Sequence, residues 1–170
     1  MGIEIERKYL VANATWRAQA TRSQRMVQGY LIDADLVRSQ TGTRCSLRVR
    51  IAGDEAFLNI KSATLGVERL EYEYPIPVDD AEHMLHDFCN GAIEKVRHYV
   101  PHAGLIFEVD EFFGSNAGLI VAEVELRSVD QAIVKPDWLG LEVTQHPRYY
   151  NLNLLPHPYS QWSERERAGE

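Results

Sequence analysis

Near its start the chain carries Glu4, Glu6 and Lys8 in alternation with Ile3, Ile5 and Tyr9. Side chains of a β-strand point to opposite faces with period two, so this stretch presents one ionic face and one apolar face. Two carboxylates beside an ammonium suit a site that holds a divalent cation through acidic oxygens and an anion through lysine. One such strand decides little, because an amphipathic strand with its charged face in water reads the same way. The pattern returns on later strands. Arg48 and Arg50 oppose Leu47, Val49 and Ile51; Lys61 opposes Leu58 and Ile60; Glu71 and Glu73 oppose Leu70, Tyr72 and Tyr74. Lys95 and Arg97 share a face, Glu108 and Asp110 oppose Phe107 and Val109, and Glu123 and Glu125 oppose Ala122 and Val124.

The elements that must position these residues are about eight short strands, nearly all joined as antiparallel hairpins. A strand is expected over Met26 to Ile32, ended by Asp33-Ala34-Asp35, after a polar connection from Asn13 to Ser23. Gly53-Asp54, Gly66 and Gly104 mark turns. An amphipathic helix is expected from Asp79 or Asp80 to Cys89, with Ala81, Met84, Leu85 and Phe88 at helical spacing and Gly91 closing it. Asp130 to Val134 suggests a short helix, and the tail at about 149–168 reads as helical pieces interrupted by Pro156 and Pro158. An open sheet could turn its ionic face to water. A closed one would have to enclose a wet interior wide enough for a charged ligand, since dry burial costs several kcal/mol per unpaired ion. After the first strand, bases fall on some strands and acids on others, whereas a scheme of cross-strand salt bridges would more naturally alternate signs within each strand.

At 170 residues and 45% hydrophobic composition, this is a folded chain, with no linker, repeat or low-complexity tract to divide it; residues 1–170 are expected to form one domain. No apolar run approaches the roughly 18 to 20 residues a membrane span needs, and the charged N-terminus does not resemble a signal peptide. Gly2 is followed by Glu6 where a myristoylation pattern needs Ser or Thr. The expected compartment is cytoplasmic. Cys45 and Cys89 lack zinc-ligand spacing and read as ordinary buried thiols. A net charge of -7 argues against a general nucleic-acid binder but leaves room for a basic pocket. His83, His86, His98 and His102 read as ordinary histidines, and Trp16, Trp138 and Trp162 as packing residues. No glycine-rich phosphate loop is present, so side chains would have to bind any phosphate.

The ordered set Glu4-Ile5-Glu6-Arg7-Lys8, Arg48-Val49-Arg50, Ile60-Lys61, Glu71-Tyr72-Glu73, Lys95-Val96-Arg97, Phe107-Glu108-Val109-Asp110 and Glu123-Val124-Glu125 resembles the CYTH superfamily, the triphosphate tunnel metalloenzymes. Glu142-Val143-Thr144, Arg148-Tyr149 and Asn151 resemble the ending of small bacterial members. The resemblance implies an α+β fold: an eight-stranded antiparallel closed β-barrel with a charged interior and flanking helices, whose C-terminal segment caps one tunnel mouth. It implies that Lys8, Arg48, Arg50, Lys61, Lys95 and Arg97 bind a linear triphosphate. Glu4, Glu6, Glu123 and Glu125, with Asp110 as a further candidate, would hold Mg2+ or Mn2+. Lys8 or Lys95 would assist the leaving phosphate, and Glu71 or Glu73 would orient the water. Arginine forks match phosphate oxygens, and hard divalent cations take carboxylate oxygens, so the residue types agree. The leading expectation is hydrolysis of inorganic tripolyphosphate to pyrophosphate and phosphate. The alternatives are an adenylate cyclase, a thiamine or nucleoside triphosphatase, and a non-catalytic polyphosphate-binding module. Membrane and nucleic-acid partners are not expected. Apolar residues on the outer face could support a homodimer or lie under helices.

Overall fold

The computed structural model describes residues 2–32, 45–62 and 67–169. The expected turns at Asp33-Ala34-Asp35 and at Gly66 lie outside them. Period-two alternation becomes nine strands: β1 (Gly2–Val11), β2 (Arg22–Tyr30), β3 (Cys45–Ala52), β4 (Glu55–Ser62), β5 (Glu68–Ile76), β6 (Ile93–His102), β7 (Leu105–Phe112), β8 (Ile120–Glu125) and β9 (Leu139–Glu142). The sheet order is β5-β4-β3-β2-β6-β7-β8-β1-β9, and an additional β5–β1 pairing closes the first eight strands into an antiparallel barrel. Closure falls to β1, which pairs through residues 6–10 with β8, through 2–5 with β5, and through Tyr9 and Val11 with β9. Gly140 lets β9 come this near, since a Cβ there would stand 2.9 Å from the Leu10 carbonyl oxygen.

The apolar faces turn outward and are covered over most of the barrel, while Leu70 and Tyr74 of β5 stay exposed. Tyr9, Val100, Phe107, Val109, Ala122 and Val124 pack under Trp16, from the 3-10 helix Ala14–Gln19, and under Trp138. Helix α1 (Val78–Phe88) lays Ala81 against Val49 and Ala56 of β3 and β4, with Asp79 and Asp80 in its first turn, where the helix dipole favours acids. Gly29 leaves room beside it, because a Cβ there would stand 2.7 Å from Cys89 Sγ. The C-terminal segment supplies Tyr149, Leu154 and Trp162 to a third cluster with Ile93, Phe112 and Val121. With its dry core on the outside, the barrel can keep a wet ionic interior.

Three details differ from the sequence reading. Strand β2 begins at Arg22 rather than Met26, because the polar residues Arg22 to Arg25 pair with Val96 to Tyr99 of β6. Asp130 to Val134 is not helical: the Gln131 amide bonds to the Ser128 carbonyl at 3.2 Å and the Gln131 side chain accepts from the Arg127 amide at 2.7 Å, which fixes a turn. Cys45 and Cys89 are half-buried free thiols. The tail does break into short helical pieces, ending in α2 (Glu164–Arg167), which Ser163 and Glu166 start with a capping box. No helix among the described residues is long and apolar enough to cross a membrane.

Candidate functional site

The inward faces of the strands enclose a cavity of about 920 Å³. Strand parity brings Glu4, Glu6 and Lys8 to it from β1, Arg48 and Arg50 from β3, Lys61 from β4, and Glu71 and Glu73 from β5. Arg97, Glu108, Glu123 and Glu125 complete the opposite wall. Lys95 and Asp110 share the inward parity, yet they stand behind Arg97 and outside the lining, each only 1% exposed.

Cations and carboxylates meet throughout. Lys8 Nζ lies 3.1 Å from Glu6 and also donates to Glu123. Arg97 forks onto Asp110 with two bonds of 2.7 Å, reaches Glu123 at 2.7 Å with Nη2, and donates to Glu108 with Nη1. Lys95 donates to the same Asp110 carboxylate. On the other wall Lys61 lies 2.8 Å from Glu4 and 3.1 Å from Glu71, Arg50 lies 2.7 Å from Glu73, and Arg48 lies 3.7 Å from Glu71. Tripolyphosphate-sized anions would find cations here already held apart and oriented by carboxylates, which is preorganisation at the cost of competition.

The electrostatics differ from group to group. Burial pulls Lys8 down, but Glu123 and Glu6 outweigh it and raise its pKa. For Lys95 burial prevails over Asp110, and its pKa falls to about 8. Burial pushes Glu123 up, yet Lys8, Arg97 and Lys95 hold it well below the usual carboxylate range. Glu125 goes the other way: burial raises it, and the neighbouring Glu108, Glu4 and Glu6 raise it further. Glu125 thus stands near three further carboxylates, each of them paired with a cation, and oxygen donors of this kind suit a hard divalent cation. Among the described residues no three such side chains already stand at metal-binding spacing.

Sequence reasoning passed over Arg69, Asn59 and Tyr150. Arg69 lies on the inward face of β5 and pairs with Glu6, while Glu4 stands 3.8 Å away. Asn59, fully buried on β4, donates to Glu71 at 2.9 Å and to Glu73 at 2.5 Å. Both follow the parity of Glu71, Glu73 and Lys61, so the signal was present. Tyr150 had no such signal. It arrives from the C-terminal segment, where its ring faces Lys8 at 5.5 Å and Arg69 at 5.0 Å while its hydroxyl donates to the Thr144 carbonyl. Thr144 in turn accepts from the Lys8 amide at 3.0 Å, so the segment supports the lysine from two sides.

Comparison with known proteins agrees with this geometry. The CYTH domain model matches residues 2–159. An inorganic triphosphatase of Acetivibrio thermocellus is 41% identical over 166 residues, covering 96% of this chain and all of that protein. An inorganic triphosphatase of Nitrosomonas europaea is 38% identical over 156 residues, covering 89% of this chain and 95% of its own. A crystal structure of an inorganic triphosphatase superposes with a TM-score of 0.64 at 34% identity, covering 91% of this chain and 95% of the other. The chain belongs to the CYTH domain family.

Proposed function

We propose that the cavity hydrolyses inorganic tripolyphosphate to pyrophosphate and phosphate with the help of a divalent metal ion. The observation that carries this reading is a cavity whose walls present buried cations interleaved with carboxylates, in a chain 41% identical to an inorganic triphosphatase over nearly its whole length. Arg48, Arg50 and Lys61 bind phosphoryl oxygens, and the planar guanidinium forks orient the chain of phosphates. Glu4, Glu6 and Glu125 hold the cation, which the family implies and which we take to be Mg2+ or Mn2+. When bound, that ion neutralises phosphate charge and polarises a water. Glu71 or Glu73 orients the water for in-line attack on the terminal phosphorus. Its oxygen forms the new P–O bond and releases a proton to solvent as the bridging oxygen leaves with the electron pair, and Lys8, kept cationic by Glu123 and Glu6, stabilises the charge on the departing pyrophosphate. Lys95, Asp110 and Glu123 act through the groups they touch, holding Arg97 and Lys8 in place.

The net charge of -7 supports a small-molecule substrate over nucleic acid, and the free thiols Cys45 and Cys89 support a reducing compartment such as the cytoplasm. The test is a product assay with Mg2+ or Mn2+, offering tripolyphosphate, ATP and thiamine triphosphate at equal concentration. Phosphate and pyrophosphate from tripolyphosphate, abolished by a chelator, is the expected result. Cyclic AMP and pyrophosphate from ATP, with tripolyphosphate inert, would overturn the reading.

A further inference from the structure

Asn59 is fully buried in the middle of β4, opposite Arg48 of β3 on one side and Glu73 of β5 on the other. It keeps the inward parity of Phe57 and Lys61 but stands outside the cavity lining. Its Nδ2 donates to Glu71 Oε1 at 2.9 Å and to Glu73 Oε2 at 2.5 Å, so one amide spends both of its N–H groups on the two carboxylates proposed above to orient the water. Its Oδ1 is buried with no hydrogen-bond partner among the described residues. Turning the amide over would set that oxygen against two carboxylates, so the network fixes its orientation. A buried acceptor left unpaired is costly, about 1–3 kcal/mol for a typical group, and the side chain bears that cost while both donors stay engaged.

These carboxylates also pair with cations of the cavity wall. Glu71 has Lys61 at 3.1 Å and Arg48 at 3.7 Å, and Glu73 has Arg50 at 2.7 Å. The same three cations are the ones assigned above to phosphoryl oxygens, and a tripolyphosphate anion competes for them with more charge than a carboxylate offers. The Asn59 amide is neutral and lies behind the wall, so substrate does not draw it away. We infer that Asn59 is a positioning residue: it holds Glu71 and Glu73 side by side for the attacking water while Arg48, Arg50 and Lys61 turn from them to phosphate. The inference rests on the functional reading above and deepens it. A merely structural Asn59 would fill the space between β3 and β5 and leave turnover alone.

Asn59→Leu keeps the shape of the side chain and removes both donors, and Asn59→Thr returns one hydroxyl donor on a residue that suits a strand. Steady-state hydrolysis of tripolyphosphate with Mg2+ or Mn2+ is read against tripolyphosphate affinity by calorimetry in excess chelator, and thermal melting checks that each barrel persists. Asn59→Leu should lower kcat by about tenfold to a hundredfold, the worth of hydrogen bonds to charged groups, with KM and the affinity in chelator within about twofold of wild type. Asn59→Thr should lose less. That split is what loosened carboxylates produce, because the cations that bind phosphate are untouched. If Asn59→Leu leaves kcat unchanged, or raises KM and weakens binding with kcat intact, Asn59 is packing or spaces the cations, and the inference falls while the functional reading stands. Should Asn59→Leu fail to fold, the split between kcat and KM in Asn59→Thr decides in the same way. A wild-type protein that does not cleave tripolyphosphate would overturn both.

Discussion

The two walls of the tunnel are built from the same residue types and are left in opposite states. On the β6–β8 wall, Arg97 spends its donors on Asp110, Glu123 and Glu108, and Lys95 backs the same Asp110. On the β3–β5 wall, Arg50 meets Glu73 and Arg48 stands 3.7 Å from Glu71, and Nε of each is buried without a partner. The difference teaches how to tell scaffold from ligand. A guanidinium whose nitrogens are all engaged holds other groups still, whereas one that meets a single carboxylate at the cavity wall keeps donors for a ligand.

The sharpest way to break this comparison is to remove one arginine from each wall. Arg97→Ala strips the counter-charge from buried carboxylates and should cost about 3–5 kcal/mol of stability by chemical denaturation. Arg50→Ala, whose partner Glu73 is 40% exposed, should cost no more than about 1 kcal/mol yet weaken tripolyphosphate binding about tenfold or more. Equal stability losses would erase the distinction. Next in size, Asp110→Asn leaves Lys95 beside Arg97 with no anion between them and should destabilise by about 2 kcal/mol, with metal affinity by calorimetry largely kept. Loss of metal binding with stability intact would make Asp110 a ligand instead.

Lys95 offers a smaller, pH-resolved test. Its folded-state pKa of about 8 lies below the usual lysine value, so above pH 8 the folded protein has released a proton that the unfolded chain still holds. Stability from this group therefore rises as pH climbs from about 8 toward about 10.4. The difference between wild type and Lys95→Met in denaturation midpoints across that window should show the rise, and a flat difference would contradict it. The smallest effect is expected at Glu125. Its raised pKa means that the folded state favours the protonated form, so stability is lost as pH rises from the ordinary carboxylate range through that raised value. Glu125→Gln should raise the melting temperature in chelator by about a degree or two at neutral pH and reverse sign when Mg2+ or Mn2+ is present.

Much of this was legible in the sequence because period two is a property of the strand backbone itself. Glu123 and Glu125, or Arg48 and Arg50, announce their face without any tertiary knowledge. Parity gives the face, however, and not the depth. Lys95 and Asp110 keep the parity of Arg97 yet sit behind it, where Lys95 pairs with Phe112 and its ammonium stands 5.6 Å from that ring. Arg69 carries the right parity too, two residues before Glu71 on the same strand. Tyr150 comes from irregular backbone, which has no period to read. Periodicity alone left closure open, and it was the family resemblance that implied the closed barrel in which Gly2 to Ile5 meet Glu68 to Glu71.

The most direct measurement of the two-wall account is a crystal structure of the protein with tripolyphosphate bound in the presence of chelator. The account predicts phosphate oxygens within hydrogen-bond distance of the terminal guanidinium nitrogens of Arg48 and Arg50, with the Arg97–Asp110 fork unchanged. A bound chain that instead pulls Arg97 off Asp110 and leaves Arg48 and Arg50 on their carboxylates would contradict it.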